Sequence, residues 1–177
     1  MLGEKSPYQA AVVFQYPAAW SISPVPLPPL MADTENGVGV VSNTGLHEFQ
    51  LVFYADLEGP CGPVPAKLVE VTPVTVNPGN DSRTGQQSIV ATLLHPAQSY
   101  GYSFPVVLTL QLTDSPDTVA ANGQDCPGRP SFRAGPVFGR FLHQRGFNTE
   151  QEALAYLHGE DARQIKAVMA SLTVSIH

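Results

Sequence analysis

Charge is what this sequence has least of. Asp, Glu, Lys and Arg make up 14% of the 177 residues, against about 25% in an ordinary soluble domain. Cations are the scarcer sign, with 9 Lys+Arg against 15 Asp+Glu and a formal net charge of −6. A chain so poor in cations is not expected to wrap nucleic acid or to lie on an anionic membrane. No apolar run approaches the about 18 residues that a spanning helix needs. The opening Met1-Leu2-Gly3-Glu4-Lys5-Ser6-Pro7 has neither a basic nor an apolar stretch, so no signal peptide is expected within it. The chain therefore reads as cytoplasmic or as a mature or trimmed form.

The usual chemical signatures are absent too. There is no Gly-x-Ser-x-Gly, no Ser-x-x-Lys, no Gly-x-x-x-x-Gly-Lys, no His-Glu-x-x-His and no Cys-x-x-Cys. These spacings mark activated serines, phosphate cradles and metal or redox sites. Gly37-Val38-Gly39 enters a strand pattern rather than a helix, so it offers no helix N-terminus to a phosphate. No cofactor and no metal site are expected.

What the chain does have is 43% hydrophobic residues, 17 Pro and 15 Gly. That composition suits strands and turns, and 177 residues are enough for one domain with its own core. Residues 1–177 are read as a single α+β sandwich domain. Leu46 to Leu57 carries the longest period-two pattern. His47, Phe49, Leu51, Phe53, Ala55 and Leu57 fall on one face, and Glu48, Gln50, Val52, Tyr54 and Asp56 on the other. Strands are also predicted at Val12–Tyr16, Trp20–Ile22, Val38–Val41, Ile89–Leu94, Phe104–Leu112 and Ser131–His143. Lys67–Val76 is a further strand, in which Pro73 implies an edge or a bulge. Pro24–Leu30 and the polar stretch Asp114–Pro130 are predicted as loops.

The C-terminal part changes period. Thr149-Glu150-Gln151-Glu152 is a capping box, and the helix it opens is predicted to stop at a left-handed Gly159. A second helix from about Asp161 buries Ala162, Ile165, Val168, Met169 and Leu172 at i, i+3, i+4 spacing. Leu172, Val174 and Ile176 then alternate as a final strand. The predicted class is α+β, a mainly antiparallel sheet with two C-terminal helices packed on it and a final C-terminal strand. Trp20, Phe49, Leu51, Phe53, Leu108, Leu110, Ile165 and Met169 are predicted to share its core.

Tyr16-Pro17-Ala18-Ala19-Trp20 after a strand resembles the opening of PsbP-like and Mog1-like α/β-sandwich domains. The amphipathic helix running into Ala170-Ser171-Leu172 and a strand is similar to their close. The resemblance implies kinship with uncharacterised cell-envelope proteins or lipoproteins of high-GC Gram-positive bacteria. It carries no common activity and no catalytic residues. That fold usually places a helix after the Trp strand, where this chain has Pro24–Pro29.

Several residue sets are candidate sites. Of the five histidines, His47, His95, His143, His158 and His177, no two stand at i, i+4, and they read as strand-end residues rather than metal ligands. The carboxylate pairs Asp56/Glu58 and Asp114/Asp117 read as solvated turn residues, not a glycosidase pair. Pro26-Leu27-Pro28-Pro29 lacks the flanking cation of a polyproline ligand, and Asn80-Asp81-Ser82 is a formal glycosylation sequon. Residues 1–128 hold 11 acids and 3 bases, yet Arg129, Arg133, Arg140 and Arg145 follow within 17 residues free of acids. They form an anion or partner patch if they converge, or else they pair with Glu150, Glu152 and other sheet acids.

Cys61 and Cys126 are the two cysteines. Both lie in turn-rich polar stretches, one after the long strand and one before the Ser131 strand. Neither neighbourhood resembles the apolar setting of a buried free thiol, so the two are predicted to form a disulfide, which places the chain in an oxidising compartment. The function expected is a non-catalytic, secreted or envelope-associated binding or structural module, with an unknown protein or envelope component as partner. The alternatives are a hydrolase whose site assembles from distant residues such as His47, His95, His143, Asp56 and Asp114, and a cytoplasmic Mog1-like adaptor.

Overall fold

The structure is a computed structural model, described here over residues 10–24, 35–41, 47–54, 62–75, 87–96, 102–126, 132–134 and 137–176. Among these, the strands in chain order are β1 (Ala10–Val13), β2 (Ser21–Pro24), β3 (Glu35–Val41), β4 (His47–Tyr54), β5 (Val64–Val74), β6 (Gln87–Leu94), β7 (Val106–Thr113), β8 (Gln124–Asp125), β9 (Phe132–Ala134) and β10 (Val137–Phe147). Helices α1 (Glu150–Leu157) and α2 (Glu160–Ala170) follow, then β11 (Thr173–Ile176). The described pairings are all antiparallel. Nine strands make one sheet in the order β2-β3-β4-β10-β7-β6-β5-β8, with β9 added on β10. The class is α+β.

The long strand β10 organises the sheet. Its first half runs between β4 and β9, with Phe138 opposite Tyr54 and Arg133, and its second half pairs with β7 from Leu142↔Gln111 to Phe147↔Val106. The predicted single strand Ser131–His143 therefore contains two strands, β9 and the first part of β10, which pair antiparallel from Val137↔Ala134 to Gly139↔Phe132. β11 does not join the nine-stranded sheet but pairs with β1 in a separate two-stranded ribbon, Ala10↔Ile176 to Val13↔Thr173.

Strand alternation gives the central strands two buried faces. On one, Ile89, Ala91 and Leu93 of β6, Leu108, Leu110 and Leu112 of β7 and Phe141 of β10 pack against the helices. Ala153 and Leu157 of α1 and Ala162, Ile165, Val168 and Met169 of α2 meet them, and Leu172 closes the cluster. The i, i+3, i+4 stripe read from the sequence is this helix face. Trp20 packs at its margin, as does Phe14, whose ring lies 5.8 Å from that of Phe141. The predicted core thus gathers Leu108, Leu110, Ile165 and Met169, with Trp20 partly buried against them. Leu51 stands opposite Phe141 in the backbone register; the side chains of Phe49, Leu51 and Phe53 lie outside the described residues.

The far face of β6 and β7 is covered as well, which alternation alone did not predict. Ser88, Val90, Thr92 and Leu94 are buried there, as are Val107, Thr109, Gln111 and Thr113. Part of the cover comes from the connection predicted as a polar loop. From Thr113 the chain makes two 3-10 turns, Pro116–Thr118 and Ala121–Gly123, that lie against β6 and β5, and ends in β8 beside Val64 and Pro65. Its own Val119 and Asp125 are buried.

One local expectation is corrected and another is narrowed to one of its alternatives. Gly159 is not a left-handed helix stop: its φ/ψ are −80°/175°, and it serves as the N-cap of α2, because α1 ends at His158 and the next helix begins at once. Pro73 lies in register opposite Ser88, and the bulge falls instead between Leu68 and Glu70. Among the described residues β8 covers the outer edge of β5 only at Val64 and Pro65. Pro73, having no N–H to offer, sits on the remaining stretch. The capping box is present as read, with Thr149 Oγ1 accepting from Glu152 N–H at 3.2 Å and the Glu152 carboxylate accepting from Thr149 N–H at 3.2 Å.

Candidate functional site

The polar side chains of the helix face work in ties between helix and sheet. Glu150, at the start of α1, accepts from Lys67 of β5 at 3.2 Å on one oxygen and lies 3.0 Å from His95 Nε2 on the other. These bonds hold its carboxyl below the usual carboxylate range. Glu70 meets Lys166 of α2 at 2.7 Å and Thr72 at 2.6 Å. Burial raises the Glu70 pKa, but the bonds from Lys166 and Thr72 outweigh it and the net shift is downward. Arg163 pairs with Glu160 at 3.0 Å on the exposed side of α2.

A second group surrounds Tyr156. His143, fully buried on β10, stacks on that ring at 5.9 Å, and its Nε2 lies 3.3 Å from the phenol oxygen. Phe147 packs on the same ring at 5.4 Å, and the Arg145 guanidinium stands 4.6 Å over its centroid. Arg145 also reaches Asp161 at 3.9 Å. Cation, imidazole and two aromatic rings thus fasten α1 to β10.

On the far face, Thr92 and Thr109 stand opposite each other in register, and their hydroxyls share a short hydrogen bond. Thr92 Oγ1 donates onward to Asp125 at 3.3 Å, and the other Asp125 oxygen accepts from the Cys126 N–H at 2.7 Å. Burial pushes the Asp125 carboxyl above its ordinary value, against the smaller lowering from these two bonds.

An open groove of about 270 Å³ lies between the 15–17 segment and α2, lined by Gln15, Tyr16, Pro17, Gln164, Ala167, Val168 and Ser171. Ser171 Oγ fastens its floor, accepting from Gln15 N–H and donating to the Val168 carbonyl, each at 2.7 Å. The lining holds amides, a hydroxyl, a phenol and aliphatic carbon, with no charged side chain.

The arginines are not one patch. Arg145 and Arg140 are five positions apart in one continuous strand, and an odd spacing sends side chains to opposite faces. Arg145 lies on the helix face against Tyr156 and Asp161, and Arg140 on the far face, beside Val52 in register. Arg133 sits opposite Phe138 in β9, and Arg129 lies outside the described residues. The acid that Arg145 meets is Asp161, not Glu150 or Glu152. Among the other sets, His95 and His143 occupy separate clusters, His158 caps α1 exposed to solvent, and Asp114 and Asp117 are exposed. His47 opens β4, while His177, Asp56, Glu58, Pro26–Pro29 and Asn80–Ser82 lie outside the described residues. Among the described residues no group of three or more His, Cys, Asp or Glu is arranged to hold a metal, and no helix is long and apolar enough to cross a membrane. Cys126 is disulfide-bonded and half-buried; Cys61 lies outside the described residues.

Sequence reasoning missed the Thr92–Thr109–Asp125 cluster. Its one signal was Thr at matching phase in two apolar strands. No family model, no curated protein and no solved structure matches this chain.

Proposed function

We propose that this protein is a non-catalytic binding or structural module that works outside the cytoplasm, secreted or associated with the cell envelope, and stapled by a Cys61–Cys126 disulfide. The observation that carries the reading is Cys126, which is disulfide-bonded in a chain with two cysteines. Persistent disulfides belong to oxidising compartments. The use of Glu150, Glu70, Arg145 and His143 in fastening helices to the sheet supports the non-catalytic part. The Tyr16–Trp20 resemblance to PsbP-like and Mog1-like domains agrees with an envelope setting. Closing a loop of about 66 residues stabilises the fold by about 4 kcal/mol in the chain-entropy model. Thiol titration of the denatured, unreduced protein is expected to find no free thiol; two per chain would overturn both the bridge and the compartment.

A hydrolase is the second reading, and one observation favours it: the half-exposed His95 faces the Glu150 carboxylate at 3.0 Å, an imidazole–carboxylate pair of the kind that serves acid–base chemistry. Lys67 holds the other Glu150 oxygen, which suits a tie better than a proton relay. Turnover of activated esters that vanishes in His95→Ala, with the fold intact, would establish the hydrolase reading; no turnover above buffer is expected.

A further inference from the structure

We propose that Asp125 and the Thr92–Thr109 pair form a protonation-dependent latch that holds the 114–126 connection, and with it Cys126, onto the far face of the sheet. Asp125 is buried, and its polar partners are the Thr92 hydroxyl and the Cys126 amide, both neutral. Among the described residues, the elements packed around it supply no compensating cation. They are β5 at Val64 and Pro65, β6 at Thr92, β7 at Thr109 and the turn at Ala121–Gly123. Lys67 of β5 is committed to Glu150 on the helix face. Arg140 shares the far face, and Asp114 and Asp117 are exposed on the connection itself, yet among the described residues no neighbouring charge contributes to the Asp125 titration.

The hydroxyl pair serves both protonation states. Toward a carboxylate, Thr109 donates to Thr92 and Thr92 donates to Asp125. Toward a neutral carboxyl the order reverses: Asp125 donates to Thr92, and Thr92 to Thr109. Only the ionised form bears the desolvation cost of a buried charge without a counter-ion. The cheapest relief is local. β8 is held to β5 by two register pairs, Val64↔Asp125 and Pro65↔Gln124, so lifting it returns the carboxylate to water while the other eight strands of the sheet stay paired.

The sign follows from linkage. The closed state binds the Asp125 proton more tightly than the open state, in which the carboxyl is solvated near its ordinary value of 3.8. Closure is therefore favoured as pH falls, and opening grows as pH rises through the closed-state value, then levels off. Each unit between closed and open values changes the opening equilibrium about tenfold. Because Cys126 follows Asp125 directly, opening also exposes the disulfide, so its reduction becomes faster as pH rises through the closed-state value. That last consequence rests on the disulfide reading above.

Two measurements on the full chain test the latch. Hydrogen exchange of the Cys126 amide, corrected for its intrinsic pH dependence, is expected to lose protection as pH rises, with the midpoint at which the Asp125 carboxyl titrates by carbon NMR. Reduction by a phosphine is expected to accelerate over the same interval. In Asp125→Asn, whose amide gives a carbonyl to Cys126 and an N–H to Thr92 at every pH, both profiles become flat. A wild-type profile that is flat, a carboxyl titrating at or below its ordinary value, or an unchanged slope in Asp125→Asn overturns the proposal. The carboxyl titration needs no variant, so it decides the matter even if Asp125→Asn fails to fold. A chain that consumes no phosphine and shows two free thiols refutes the disulfide, while amide exchange still judges the latch.

Discussion

Replacing Ile165 by Ala measures what the helix layer contributes. Ile165 is fully buried in the middle of α2, in one cluster with Leu108, Leu110, Phe141 and Met169. The change removes three carbons, and at about 0.8 kcal/mol per buried CH₂ the transfer term is about 2.4 kcal/mol. The cavity left between helix and sheet adds to this, since β6, β7 and β10 are fixed in their ladders and cannot collapse into it. Better helix propensity of Ala returns a few tenths of a kcal/mol, up to about 0.5. The expected loss is about 2–4 kcal/mol, within the range for such truncations. For a chain of this length that lowers Tm by about 5–15 °C. Urea denaturation followed by circular dichroism under non-reducing conditions reads it directly. Arg163→Ala is the control: Arg163 is exposed and pairs with Glu160 one turn away, so its loss should stay within about 0.5 kcal/mol. An Ile165→Ala loss under about 1 kcal/mol, or equal to that of Arg163→Ala, would refute the packing of α2 on the sheet.

Three further outcomes follow from particular contacts. A Cβ at Gly146 would collide with the Phe104 ring, so Gly146→Ala should cost about 1–3 kcal/mol as overpacking. In a Phe104→Ala background most of that penalty should vanish; a double-mutant cycle without coupling would contradict the contact. Thr149→Ala removes the capping hydroxyl from α1 and should cost about 1 kcal/mol in urea denaturation. The Glu70 carboxyl, half-exposed and pulled down by Lys166 and Thr72, should titrate below its ordinary 4.5 in NMR. A depressed folded-state value means its contribution is present above the ordinary value and lost as pH falls through the folded one. Lys166→Met should move the midpoint upward, and an unmoved midpoint would mean the 2.7 Å bond does not form in solution.

What the sequence determined was what repeats locally. The stripe Ala162, Ile165, Val168, Met169 and Leu172 is legible because a helix places every third and fourth residue on one side, and all five are buried. The capping box is legible because its two bonds lie within four residues. The strand alternations of β6 and β7 are legible for the same local reason. Parity in β10 was available too, and it alone separates Arg140 from Arg145; charge counted along the chain hid it. Tertiary structure decided whatever joins distant positions. Ser131–His143 divides into two strands because β9 finds a partner in β10. The polar stretch after Thr113 buries Val119 and Asp125 because it crosses a sheet face that needs cover. Glu70 meets Lys166 from 96 positions away, and Asp125 meets Thr92 from 33. No local pattern marks such pairs, because a side chain's partner depends on where the sheet carries it, and each strand's own period fixes only the face.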